Sequence, residues 1–250
     1  MPPKVLGVIP ARFASSRFPG KALAPLAGKP MLEHVFERAG RARCLTRLLI
    51  ATDDERIHDA ARRFGAPVRM TRADHPSGTD RVAEVAAAED AEVVVNIQGD
   101  EPLIDPGAID AAVLGLLEDP STPMGTLKKR IEDPRELANH NVVKVVTDRS
   151  GNAIYFSRSL IPHQRDPNVG GPVRHYKHIG LYVYRREFLL GYCQLPVGPL
   201  EQAERLEQLR ALENGYRIRV VETEYESLGV DTPEDLERVA GWFDRVSSDG

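Results

Sequence analysis

The stretch Val5-Leu6-Gly7-Val8-Ile9-Pro10-Ala11-Arg12-Phe13-Ala14-Ser15-Ser16-Arg17-Phe18-Pro19-Gly20-Lys21 decides the fold. Residues 5–9 form an uninterrupted apolar run bounded by proline, which reads as a strand buried on both faces. The run passes directly into a polar loop that carries three cations, Arg12, Arg17 and Lys21. A strand buried on both faces belongs to a parallel sheet covered by helices, and ligands of such sheets bind beyond the carboxyl ends of the strands. The loop of residues 10–21 therefore stands where a ligand is expected.

The same rhythm continues outward. Pro30 suits the first turn of a helix running to about residue 41, with Met31, Val35 and Ala39 on one face. Residues 48–51 read as a second strand, 54–64 as a helix, 67–70 as a third strand, 77–88 as a helix and 92–97 as a central strand. Three to four right-handed βα units on a parallel sheet account for this half. Beyond Gln98 the pattern loosens. Strands are expected at 142–146, 153–156, 179–184 and 218–221, helices at 106–117, 199–213 and 233–246, and a loop at 166–172. The expected fold class is α/β, a mixed Rossmann-like sheet flanked by helices with a smaller inserted β region, in one domain spanning residues 1–250.

Charge narrows the function. The 250 residues carry a formal net charge of −4, which excludes a broad polyanion-binding face. The distribution is uneven: residues 1–32 hold five basic residues and no acid, whereas residues 201–250 hold thirteen acids and six bases. A cationic opening on an acidic chain suits a small, highly charged anion rather than a nucleic acid. Two cysteines, Cys44 and Cys193, are too few for a disulfide framework or a cysteine metal site. No apolar run approaches the roughly 18 residues of a membrane span. Pro10, Arg12 and Arg17 interrupt any signal-peptide core, so a soluble, cytoplasmic protein is expected.

Guanidinium forks bind phosphate oxygens in pairs and a lysine acts as a point charge, so Arg12, Arg17 and Lys21 are suited to surround a polyphosphate. Ala14, Ser15 and Gly20 would let the backbone approach it closely. The loop is no Walker motif, since Gly28-Lys29 is followed by Pro30 and has no glycine five residues earlier, and no GxGxxG is present. The plain alternative is a solvated basic loop.

The loop resembles the signature of sugar nucleotidylyltransferases, specifically of the 3-deoxy-manno-octulosonate (Kdo) cytidylyltransferase family. The resemblance continues through His75-Pro76-Ser77-Gly78-Thr79-Asp80-Arg81, Val95-Asn96-Ile97-Gln98-Gly99-Asp100-Glu101-Pro102-Leu103 and Tyr155-Phe156-Ser157-Arg158. It resumes at His178-Ile179-Gly180-Leu181-Tyr182, Leu206-Glu207-Gln208-Leu209-Arg210 and Gly229-Val230-Asp231-Thr232-Pro233-Glu234-Asp235, in the family's order and over nearly the whole chain. Ser16 and Phe18 stand where many relatives have Thr and Leu. The resemblance implies transfer of CMP from CTP to the anomeric hydroxyl of Kdo, with release of pyrophosphate, for lipopolysaccharide synthesis. It also implies a homodimer, with residues 1–104 mainly nucleotide-binding and residues 105–250 serving the sugar and the dimer.

Asp100 follows the strand that ends at Ile97 and so faces the same rim as the basic loop. Magnesium takes one or two protein carboxylates plus phosphate oxygens and water, and Asp231 is the natural second ligand. Thr232 as N-cap, Pro233 at N1 and Asp235 at N3 already complete a helix start, which leaves Asp231 unneeded for capping. An acid that merely stabilises the helix end is the alternative. Pro102 fixes the backbone of Glu101 in an extended form, which leaves the aim of its side chain open between the rim and the outside, and Glu101 stays outside the metal set. Asp53-Asp54-Glu55 reads as a solvated helix start.

By resemblance the nucleotide pocket takes Pro10, Ala11, Arg12, Ser15, Arg17 and Lys21, with Ser77, Gly78, Thr79, Arg81 and Gln98. Arg12, Lys21 and Asp100 carry catalysis. Ser77 to Asp80 also fits a capping box, with Gly78 open to a ligand. The acidic sugar needs cations and mixed donors. Gln98, Arg158 and Arg165 suit it, and His178 and Tyr182 lie four apart on one strand face. A buried structural His–Tyr pair fits that spacing equally well. On the 199–213 helix, Glu204 and Gln208 share a face with Glu207 beside it, and the resemblance makes Glu207 and Gln208 sugar-hydroxyl ligands.

The rival readings are a cytidylyltransferase for 8-amino-Kdo or a sialic acid, a glycosyltransferase, and a non-catalytic nucleotide-binding protein. A glycosyltransferase would ordinarily carry Asp-x-Asp, which the sequence lacks.

Overall fold

In the computed structural model, which describes residues 2–14, 17–166, 171 and 173–248, the chain divides into two units. The first comprises residues 1–110 and 227–250, the second residues 111–226.

The first unit follows the expected alternation. Its elements are β1 (Val5–Ala11), the short hairpin strands β2 (Pro25–Leu26) and β3 (Lys29–Pro30), α1 (Met31–Ala39), β4 (Arg47–Thr52), α2 (Glu55–Arg63), β5 (Val68–Met70), α3 (Gly78–Ala87) and β6 (Val93–Asn96). α4 (Pro106–Leu117) then leads the chain into the second unit. β1 lies between β4 and β6 and is parallel to both, in registers running from Leu6↔Arg47 to Ala11↔Thr52 and from Val5↔Val93 to Val8↔Asn96. β5 extends the sheet, parallel to β4. Val5, Leu6, Val8 and Ile9 are all buried, as a central strand with helices on both faces requires, which is why the run shows no alternation.

Short-range chemistry sets the helix starts. The Asp54 carboxylate accepts from Arg56 N at 3.0 Å and caps α2, and Ser77 Oγ accepts from Asp80 N at 3.2 Å and caps α3. The C-terminal helix (Pro233–Ser248) begins as the sequence predicts: Thr232 Oγ1 accepts from Asp235 N at 3.3 Å, and Asp235 Oδ2 accepts from the Asp231 and Thr232 amides at 3.0 and 3.1 Å. Val230 and Val239 pack with Leu26, Met31 and Leu103, flanked by Leu236, Trp242 and Phe243. This cluster fixes the segment that carries Asp231 against the rest of the unit.

The second unit contains β7 (Met124–Arg130), α5 (Pro134–Ala138), β8 (Lys144–Thr147), β9 (Ala153–Ser157), β10 (Tyr176–Arg185), α6 (Arg186–Tyr192), α7 (Pro199–Glu204), α8 (Leu209–Glu213) and β11 (Ile218–Glu222). β7 lies between antiparallel β10 and parallel β11, and β8 pairs antiparallel with both β10 and β9. The mixed α/β class is as expected.

Two features differ from the sequence expectation. β7 was not foreseen, because Gly125 and the cations Lys128, Lys129 and Arg130 mask its buried Met124, Thr126 and Leu127. Two of those cations are accommodated by distant groups: Lys128 lies 4.2 Å from the Tyr176 ring centroid and Lys129 pairs with Glu226 at 3.0 Å. The single helix expected over 199–213 is broken at Arg205, whose φ of 53° is left-handed. The Glu204 carboxylate accepts from Ser157 Oγ at 2.6 Å and Arg158 N at 2.9 Å, while Arg158 Nε donates to the Glu204 carbonyl at 2.7 Å. Bonds from β9 thus end α7, and Glu204 and Gln208 do not share a helix face.

Candidate active site

A cavity of about 320 Å³ opens at the carboxyl ends of β1 and β6. Pro10, Ala11 and Arg12 line it from the end of β1, and Gln98, Gly99 and Asp100 from the turn after β6. Ser77, Gly78 and Arg81 contribute from α3, and Arg17, Lys21 and Asp231 complete the charged wall. Ser15 falls outside the described residues, and Thr79 is buried in α3 without lining the cavity. His75 and Pro76 do line it, although neither was singled out as a site residue.

Glycine is required at two points. Gly20 has φ of 75°, and its amide donates to Phe13 O at 2.9 Å, which folds the cationic loop back on itself. Gly99 passes so close to β1 that a Cβ would sit 2.8 Å from the Pro10 carbonyl oxygen. Only this approach brings Asp100 to the end of β1.

Lys21 holds the two acids together. Its Nζ donates to Asp100 Oδ2 at 2.6 Å, to the Val230 carbonyl at 3.0 Å and to Asp231 Oδ1 at 3.1 Å. Arg17 reaches the other oxygen of Asp231 at 2.9 Å. Val230 N in turn donates to Asp100 O at 2.9 Å, so the two acid-bearing segments are bonded to each other. Two carboxylates and a carbonyl converging on one ammonium form a hard-oxygen cation cradle, and that donor chemistry fits magnesium. Glu55, His58 and Asp59 also approach one another on α2, but they are surface groups of one helix.

Arg81 is 4% exposed; it pairs with Asp53 at 3.0 Å and also donates to Thr71 Oγ1. Asp53 is therefore an ion-pair partner and not a solvated helix-start residue. The aim of Glu101, left open by the sequence, is inward: it is buried and accepts from Ser227 Oγ at 2.7 Å, because the chain turns at residues 98–104.

The sugar-site expectations fall in the second unit. Tyr182 OH donates to Gln208 Oε1 at 3.1 Å, and Gln208 is buried. His178 sits between Phe156, which it meets edge-on, and Tyr182, to which it is tilted, at centroid distances of 5.0 and 5.4 Å, and its Nε2 lies 2.9 Å from Thr126 Oγ1. Thr126 Oγ1 also lies 2.8 Å from the Leu181 carbonyl, which can take its proton and leave the hydroxyl to accept from Nε2–H. Burial lowers the His178 pKa to about 3, which keeps the ring neutral, and burial raises that of the Tyr182 phenol. The Arg158 guanidinium binds the carbonyls of Glu204 and His140, the latter at 3.1 Å, and so supports the break at Arg205. Arg165 is exposed. Glu207 offers its carbonyl to Tyr192 OH at 2.6 Å.

The sequence model of the Cytidylyltransferase family matches residues 6–218. A 3-deoxy-manno-octulosonate cytidylyltransferase of Solibacter usitatus is 72% identical, covering 97% of this chain and 96% of its own length. One from Geobacter metallireducens is 57% identical, covering 94% of this chain and 96% of its own. A solved CMP:2-keto-3-deoxy-manno-octonic acid synthetase in complex with CTP superposes with a TM-score of 0.92 at 44% identity, over 97% of this chain and 99% of that one. The chain belongs to the 3-deoxy-manno-octulosonate cytidylyltransferase family.

Proposed function

We propose that this protein transfers CMP from CTP to the anomeric hydroxyl of Kdo, releasing pyrophosphate. The observation that carries the proposal is the meeting of the cationic loop with Asp100 and Asp231 in one cavity, through the bonds of Lys21 and Arg17. The relatives that match nearly the whole chain carry the same activity in their names.

The first unit provides nucleotide binding. Arg12, Arg17 and Lys21 bind the triphosphate and hold the departing pyrophosphate by charge and paired hydrogen bonds. Ser77 and Gly78 accommodate the cytidine portion, and Gln98, which both donates and accepts, serves the nucleotide and sugar. Sugar recognition belongs to the second unit, where Tyr182, Glu207 and Gln208 address hydroxyls and His178, held neutral, fixes the Tyr182 ring. Arg165 is a cation for the sugar carboxylate, and Arg158 holds the backbone that carries Glu207 and Gln208.

The reaction is a single in-line displacement. The anomeric C2 oxygen forms the new bond to the α-phosphorus as the bond to the β-phosphate oxygen breaks, with no covalent enzyme intermediate. Asp100 and Asp231 would hold magnesium, which when bound acidifies the attacking hydroxyl and offsets charge on the α-phosphate. Positioning and charge stabilisation do the rest. We further propose that the enzyme works as a homodimer in the cytoplasm and supplies lipopolysaccharide synthesis.

The test is pyrophosphate release from CTP in the presence of Mg²⁺, comparing Kdo, 8-amino-Kdo and a sialic acid. Preference for Kdo is expected. Equal rates with all three, or release with 8-amino-Kdo alone, would refute the substrate assignment.

A further inference from the structure

We infer that Lys21 is a resident cation that closes the metal site of the nucleotide-free protein, so that nucleotide and divalent metal bind with positive linkage. The inference rests on the reading of Asp100 and Asp231 as metal ligands.

An ammonium has three donors and no acceptor. All three find oxygens here, from Asp100, Val230 and Asp231. The ammonium therefore occupies the centre of the cradle, where a divalent ion would bind. Magnesium–oxygen distances are about 2.1 Å, so ion and ammonium cannot share that centre, and their charges repel at such range. The cradle is built beforehand: the bond from Val230 N to Asp100 O joins its two segments, and the helix cap at Thr232 and Asp235 fixes the backbone at Asp231. The Lys21 side chain, by contrast, is a flexible stem, and it is 16% exposed at the cavity wall.

A triphosphate entering the cavity offers Lys21 and Arg17 stronger anionic partners than the carboxylates they hold. Transfer of the ammonium to phosphate opens the cradle to the metal. By linkage, metal in the cradle favours nucleotide to the same degree. Lys21 thus keeps the free protein from binding metal unproductively and couples metal entry to the substrate that needs it.

The probe is Mn²⁺, counted by the electron paramagnetic resonance of the free ion, first without nucleotide. Weak binding is expected in the wild type, and binding tighter by about tenfold or more in Lys21→Met, from removal of one unit charge at contact distance. Lys21→Arg, which keeps the charge, should bind as weakly as wild type. With an unreactive CTP analogue at a saturating concentration for each protein, and after subtracting the Mn²⁺ that the analogue holds in solution, the gain in Mn²⁺ affinity should be larger in wild type than in Lys21→Met. Equal nucleotide-free affinity in wild type and Lys21→Met, together with loss of Mn²⁺ in Asp231→Asn, overturns the inference while leaving the metal ligands intact. Tight binding that persists in Lys21→Met/Asp231→Asn overturns the ligand assignment instead.

Discussion

Replacing Gly99 by alanine should damage the active site and the fold together. The added Cβ would lie 2.8 Å from the Pro10 carbonyl oxygen and 3.4 Å from Ile9 Cγ2. The carbonyl belongs to β1, which is paired with β4 from Leu6 to Ala11, so it cannot rotate aside. Relief of the clash needs a separation of about 0.5 Å between the turn after β6 and the end of β1. Asp100 moves with that turn, away from the 2.6 Å bond to Lys21 and the 2.9 Å bond between Val230 N and its own carbonyl. Overpacking of this kind costs about 1–3 kcal/mol, and sites of this type tolerate only about 0.5 Å of displacement. Urea unfolding should register the loss of stability, and pyrophosphate release from CTP with Kdo should fall about 10- to 100-fold. Gly78 is the control: its Cβ would meet Pro10 Cγ at 3.6 Å, an ordinary contact. Gly78→Ala should leave stability unchanged and raise KM for CTP. If Gly99→Ala keeps its stability within about 0.5 kcal/mol and full turnover, the close approach does not position Asp100.

Asp231→Asn should reduce turnover by about 100-fold or more while thermal unfolding stays close to wild type, because Thr232 and Asp235 cap the helix without it. The His178 pKa is lowered to about 3 in the fold, so the unfolded chain binds its proton first as pH falls. Stability should drop progressively below pH about 6.5, by about 1–2 kcal/mol on reaching pH 5. His178→Phe should flatten that part of the profile in urea titrations; an unchanged slope would refute the neutral buried ring. Arg210 binds both oxygens of Glu201, at 2.8 and 2.7 Å, with each side chain about one-tenth exposed. Arg210→Met should destabilise by about 3 kcal/mol by leaving Glu201 uncompensated, and adding Glu201→Gln should recover much of that in equilibrium unfolding.

Much of the first unit was legible from local pattern. The run at residues 5–9 predicted a buried strand, and the caps at Ser77 and Thr232 predicted two helix starts, since each depends on residues within a few positions. The cavity-lining role of the loop at residues 10–21 followed from its place after that strand. Signals that depend on partners elsewhere failed. Asp53 read as solvated although Arg81 holds it, and the sequence left the aim of Glu101 open because its partner, Ser227, lies far along the chain.

The second unit shows the limit more sharply. β7 carries three consecutive cations, and the first two, Lys128 and Lys129, are met by Tyr176 and Glu226, far away in sequence, so no window along the chain reveals a strand. The break at Arg205 arises from Ser157 at the end of β9 and Arg158 just beyond it, while the local sequence favours an unbroken helix.

By itself, then, the sequence determined the α/β class, the ligand-binding end of the sheet and the family motifs, because periodicity and capping act over a few residues. Only the tertiary structure decided that Lys21 lies between Asp100 and Asp231, which stand 79 and 210 residues away along the chain. That arrangement depends on the path of the whole first unit, on Gly99 passing the end of β1 and on the C-terminal helix packing back on the hairpin core. Charge and hydropathy along a chain name the groups able to meet; the folded path alone selects which of them do.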